Sequence, residues 1–171
     1  MRRLQNSLLK ENLLTIYHSL IVPYLKYCNI IWATGSNQSK LLQLLKVQKK
    51  CLRIITHSHY LAPSAPIFYD LSLLNIFEIN KLEIGTFMYK FKNNLLPQPF
   101  MNLFQYNSQI HKHNTRSANK FHLWSIKSQF EDKSITHAGP RTWNSIPNEI
   151  TELPFLSTFR RHYKQSLVQL K

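Results

Sequence analysis

Apolar residues recur along this chain at helical spacing. Leu13, Ile16, Tyr17, Leu20, Ile21 and Tyr24 stand at i, i+3, i+4, i+7, i+8 and i+11, one face of a helix. Pro23 has no N–H to donate and restricts Val22, which predicts a kink or an end there. A second apolar run over 24–33 stops at Gly35-Ser36-Asn37. The next helix is expected over 39–56, with Asn37 or Ser39 as its N-cap. On it Leu41, Leu44, Leu45, Val47, Cys51, Leu52, Ile54 and Ile55 fall within one half of the circumference, while Lys46, Lys49, Lys50 and Arg53 occupy an arc of about 100° opposite.

Residues 57–69 hold no Lys, Arg, Asp or Glu, and Pro63 and Pro66 predict a loop leading to a short helix over 67–74. The stretch 76–92 is apolar over much of its surface. Ile76, Phe77, Ile84, Phe87, Met88 and Phe91 share one face and Leu82 and Tyr89 another, which predicts a helix central to the core. Residues 93–111 again lack charged side chains and contain Pro97 and Pro99, so a boundary is expected there. Beyond it, 121–124 and 134–137 are β-like in composition and predict a small hairpin that Gly139-Pro140 ends. Leu156, Phe159, Tyr163, Leu167 and Leu170 then form a helical stripe, with Arg160, Arg161 and Lys164 off its edge. The expectation is a mainly α chain: a bundle-like helical lobe over 1–92, a Pro-containing linker over 93–111, and a hairpin plus C-terminal helix over 112–171.

Charge changes the picture most. Lys and Arg number 22 against eight Asp and Glu, a formal charge of +14. The surplus is spread, ten cations against four acids in residues 1–85 and twelve against four in 86–171. A folded body this basic suits a polyanion, and nucleic acid before a membrane surface. The apolar stretch 13–33 contains His18, Pro23, Lys26 and Asn29, which predicts a core segment and no bilayer span. No secretory leader is expected either, because Lys10 and Glu11 interrupt the apolar run after Met1-Arg2-Arg3.

Catalytic chemistry finds little support. Three glycines exclude a glycine-rich phosphate cradle, and no nucleophile elbow or metalloprotease motif occurs. Cys28 and Cys51 have no C-x-x-C partner and sit in apolar helical context, so both are expected as small core residues in a reduced, intracellular setting. His57-x-His59 and His111-x-His113 have chelating spacing but lack further ligands, so no metal and no cofactor is expected.

A longer pattern carries a resemblance. Tyr17-His18-Ser19-Leu20-Ile21-Val22-Pro23-Tyr24-Leu25-Lys26-Tyr27-Cys28 is followed by Ile31-Trp32, then by 45–55 including Gln48-Lys49-Lys50, and then by Ser58-His59-Tyr60 and Met88-Tyr89-Lys90-Phe91. After these come Asn94-Leu95-Leu96-Pro97, His113-Asn114-Thr115-Arg116-Ser117 and the run from Gly139 through Trp143-Asn144 to Pro147. In this order the strings resemble the segment after the catalytic core of jockey-like non-LTR retrotransposon reverse transcriptases. The resemblance implies the thumb and post-thumb portion of an RNA-directed DNA polymerase, whose metal-binding aspartates belong to an upstream palm. Asp70 and Asp132 are the only aspartates here and no Tyr-x-Asp-Asp occurs, so the fragment itself is expected to be non-catalytic.

The candidate binding residues are then Lys46, Lys49, Lys50 and Arg53 for phosphate contact, against a plain solvated face. Lys112, Arg116 and Lys120, around His113 and Asn114, are candidates for a loop gripping backbone or single strand, with Tyr106, Phe121 and Trp124 as stacking platforms. Arg160, Arg161 and Lys164 complete the cationic set. Trp143 is expected as a core anchor and Asn144 or Ser145 as a local cap. The expected partner is RNA, DNA or a hybrid without sequence preference, and the compartment nuclear or cytoplasmic. The alternative is a helical protein–protein interaction module or a decayed fragment without activity.

Overall fold

The computed structural model describes residues 2–35, 38–110 and 116–169, and in it the chain is mainly α. The helices are α1 (Lys10–Ile16), α2 (Val22–Lys26), α3 (Asn29–Gly35), α4 (Gln38–Ile55), α5 (Ser64–Asp70) and α6 (Ile76–Lys92), followed by α7 (Asn107–Ile110), α8 (Gln129–Asp132), α9 (Ile135–Asn144), α10 (Asn148–Thr151) and α11 (Leu156–Gln169).

Asn75 starts the central helix. Its Oδ1 accepts from the backbone N–H of Phe77 at 2.9 Å and of Glu78 at 3.1 Å, and Glu78 Oε2 accepts from Asn75 N–H at 2.8 Å, a reciprocal capping box. From there α6 is buried nearly all round, as its sequence predicts, with α2, α3 and α4 on some sides and α9 and α11 on others. Two glycines allow the close approaches. A Cβ on Gly85 would stand 2.5 Å from the Tyr163 ring of α11, and one on Gly139 of α9 would stand 2.8 Å from Met88 Sδ. Around α6 the aromatic rings interlock. Tyr89 and Phe159 stack at 4.7 Å, Phe91 meets Phe104 edge-on at 4.8 Å, and Trp143 lies 5.7 Å from Phe159. Phe104, from the segment 93–111 where the sequence places a boundary, sits in the same cluster as residues from both sides of it.

A second cluster joins α1, α4 and α5 through Leu13, Tyr17, Leu52, Ile55, Ile67, Phe68 and Leu73. Gln48 closes the seam between the two. Its Nε2 donates to Tyr17 Oη at 2.8 Å and Leu74 O at 2.9 Å, and its Oε1 accepts from Ile76 N–H at 3.0 Å. All polar atoms of a buried amide are thereby engaged across three elements.

Several local expectations need correction. The break at Pro23 takes the form of a π turn over Tyr17–Ile21, in which Val22 N–H reaches back to Tyr17 O. Pro23 then lies in the first turn of α2, where a missing donor is harmless. The wider turn keeps Leu13, Tyr17, Ile21 and Leu25 toward the core at spacing four and turns Leu20 and Tyr24 out to solvent. The short helix after 57–63 begins at Ser64, so Pro66 falls within its first turn and Leu71 to Leu74 lie beyond it.

The hairpin does not form. Residues 135–144 become helix, capped by Ser134, which accepts from Thr136 N–H at 3.3 Å. Burial of Ala138, Gly139, Pro140 and Trp143 against the core outweighs both the β-like composition and the donor lost at Pro140. Among the described residues β pairing is limited to an isolated bridge between Tyr106 and Phe121. Cys28 is exposed at a left-handed turn (φ 47°) between α2 and α3, while Cys51 is half-buried. Among the described residues no helix is long and apolar enough to cross a membrane.

Candidate nucleic-acid interface

The cationic arc on α4 follows from how that helix is seated. Leu41, Gln48, Leu52 and Ile55 are its buried residues. The core-facing side is therefore narrower than the apolar half of the sequence and centres on Gln48, leaving Leu44 and Val47 at the surface. The reason is geometric: α1, α5 and α6 are the elements that pack most extensively on α4, and they meet it along its buried stripe. Lys46 and Lys50 stand opposite the buried stripe and are exposed, whereas Lys49 and Arg53 lie nearer its edge and are half-buried.

Among the described residues none of the four forms an ion pair. The ion pairs among the described residues join Asp132 to Arg141 at 2.8 Å and to His137 at 3.9 Å, and Glu83 to Arg160 at 3.2 Å. Arg53 has a second duty: its Nε donates to Ala62 O at 2.8 Å and holds the loop after α4. Together with Lys50, Gln5, Ser58 and Tyr60 it lines a groove of about 420 Å³. Tyr60 is largely exposed and packs on His59 at 4.7 Å between ring centres. Two cations and a solvent-facing aromatic ring thus share one groove, a combination suited to a flexible strand.

The other candidates divide. Arg160 is engaged with Glu83. Arg161 is exposed and shares a groove with the half-buried Lys164. Lys120 lines a separate groove of about 420 Å³ with Lys92, whose Nζ donates to Thr151 O at 3.2 Å and stands 5.9 Å from the Trp143 ring centre. Arg116 is exposed and joins none of these groups. Lys112, with His113, Asn114 and the second chelating-spaced pair, lies outside the described residues. Of the stacking candidates, Phe121 is fully buried and covered by Tyr106 at 4.5 Å, so neither ring has a free inner face; Trp124 is exposed, edge-on to His122.

Trp143 is a core anchor, as expected. Asn144 is not a local cap. Its side chain pairs with the backbone of Phe121, donating to its carbonyl at 2.8 Å and accepting from its N–H at 3.1 Å, and so ties the extended segment to α9. Ser145 does bond locally, to Thr142 O at 2.7 Å.

Lys92, Lys26 and His18 were missed because each joins its cationic partner only through the fold. Burial, then Lys26, holds the Lys164 ammonium below the usual lysine value. Burial, then Lys164 and Lys26, likewise depresses the His18 imidazole. Among the described residues no three His, Cys, Asp or Glu side chains gather as a metal site. No family model, curated protein or solved structure matches the chain.

Proposed function

We propose that this chain binds the sugar–phosphate backbone of nucleic acid through the outer face of α4, without reading bases and without catalysis. On this reading it is the thumb and post-thumb portion of a jockey-like non-LTR retrotransposon reverse transcriptase, partnered in the parent protein by an upstream palm and working inside the cell. RNA, DNA and a hybrid all present the phosphates it needs. The supporting observation is the arc itself: Lys46 and Lys50 face away from the core, Lys49 and Arg53 flank them, and among the described residues no carboxylate is paired to any of the four. Surface helices ordinarily mix signs, so four cations without an acid point to an anionic partner.

The test is the salt dependence of oligonucleotide binding. Because Arg53 also holds Ala62, the decisive variant is Lys46→Gln with Lys49→Gln and Lys50→Gln. Each lost phosphate contact lowers the slope of log affinity against log salt by about 0.9 on a B-form duplex or about 0.7 on a single strand. The loss should be uniform across sequences. A variant with Lys10, Lys81 and Lys127 changed to Gln has the same net charge and should keep the slope. Equal losses in both variants would reduce the α4 face to bulk charge. No loss in either would favour the interaction-module reading, whose surface would then be the exposed Tyr24, Tyr27 and Ile31.

A further inference from the structure

A second group of basic side chains meets away from α4. His18 of the π turn, Lys26 at the end of α2 and Lys164 in the middle of α11 line one cleft of about 160 Å³. The rest of its wall is largely apolar, with Leu74, Ile79 and Leu82 among it. Lys164 is half-buried there and also borders the next groove, where Arg161 adds a fourth cation.

Among the described residues no acid lines this cleft or pairs with Lys26 or Lys164. Glu83, one residue past Leu82 on α6, is engaged by Arg160. Asp70 borders the neighbouring groove but forms no ion pair with Arg161 or Lys164. Tyr17, the remaining titratable group of the wall, has its hydroxyl held by Gln48 and its ionisation suppressed by burial. Folding thus brings two ammonium groups and an imidazole together beside apolar surface, where like charges repel most strongly. A multiply charged oxyanion reverses that balance. Two ammonium groups supply up to six donors and a protonated imidazole adds its own, and charge-assisted bonds strengthen beside a low-dielectric wall.

We propose that the cleft between His18, Lys26 and Lys164 is a binding site for a phosphate group. A phosphate has the charge to neutralise the cluster and acceptor oxygens pointing in separate directions toward three side chains on three elements. The group could come from free phosphate or from a nucleic-acid backbone, and neither source requires the α4 face, since none of its cations lines the cleft.

His18 reports occupancy. Its imidazole is titrated by NMR in the full chain, with and without inorganic phosphate, and then with a single-stranded oligonucleotide in a phosphate-free buffer. Bound phosphate should raise the imidazole toward or above the ordinary histidine value, because an adjacent anion favours the charged ring. Changing Lys26→Gln and Lys164→Gln together should raise it without ligand and should weaken phosphate binding by about tenfold or more. Unchanged helix content in that variant excludes unfolding, and Lys26→Gln alone, at an exposed position, should give a smaller change of the same sign. A response to both ligands assigns the site to backbone phosphate, and a response to inorganic phosphate alone assigns it to free phosphate. No response to either, or an equal response in wild type and double variant, overturns the proposal. The Lys46, Lys49 and Lys50 variant keeps the His18 response whether or not α4 binds nucleic acid, so the two readings fail separately.

Discussion

α4 and α6 are nearly equal in length, 18 and 17 residues, and differ most in what surrounds them. Nine residues of α6 are buried against four of α4. α6 touches neighbours on every side, so nearly every side chain on it is answerable to packing. α4 is packed along one stripe, and Lys46 and Lys50 opposite it are exposed, while Arg53 nearer the edge holds Ala62. The outer face of α4 can therefore be changed without disturbing the packing, and hardly any of α6 can. An unpaired cation on α4 needs an explanation outside the chain, whereas an aromatic ring around α6 is explained within it.

That contrast can be broken most forcefully at the core. Phe159 is fully buried among Tyr89, Trp143 and Tyr163, and Phe159→Ala should cost about 3–5 kcal/mol in chemical denaturation. A smaller loss, with an unchanged denaturant slope, would mean that the rings around α6 are less tightly interlocked than the structure shows. Next comes the seam. Gln48→Leu keeps the volume but removes the partner of the Ile76 N–H, the Leu74 carbonyl and the Tyr17 hydroxyl, and should cost about 1–3 kcal/mol although Gln48 sits on α4. The outer face of the same helix should respond far less. The Lys46, Lys49 and Lys50 to Gln variant should change stability by no more than about 0.5 kcal/mol per site, because Gln matches Lys closely in helix propensity. A large loss there would end the separation of binding from folding.

The smallest effect concerns pH. His18 is depressed by burial first and by Lys164 and Lys26 next, so the folded chain takes up its proton less readily than the unfolded chain. Stability should therefore fall as pH drops below about 6.5, the ordinary histidine value, and go on falling to the lower folded value. His18→Gln should remove that part of the slope in urea midpoints between pH 7 and pH 5, leaving the carboxylate contribution at lower pH. An unchanged slope would show that neither burial nor the two lysines depresses His18.

Much of the fold is legible in the chain because helices are local. The period of 39–56 predicts α4 to within one residue at either end, and the all-round apolarity of 76–92 predicts the central place of α6. The cationic arc is legible for the same reason, since four positions on one helix fix their own angles. The expected hairpin fails where local preference and burial disagree. Ser134 to His137 could take either form, and the seat for Trp143 among Tyr89 and Phe159 decides for helix.

By itself the sequence determined the mainly α class, the helix at the centre and the cations that turn away from it, all consequences of spacing within single elements. The tertiary structure decided which apolar half-turns meet a neighbour, that Gln48 is the buried polar seam, and that Asn144 clasps Phe121 across the fold. It also brought His18, Lys26 and Lys164 to one cleft. These depend on contacts between residues far apart in the chain, and no periodicity encodes such contacts because they exist only once the helices have packed.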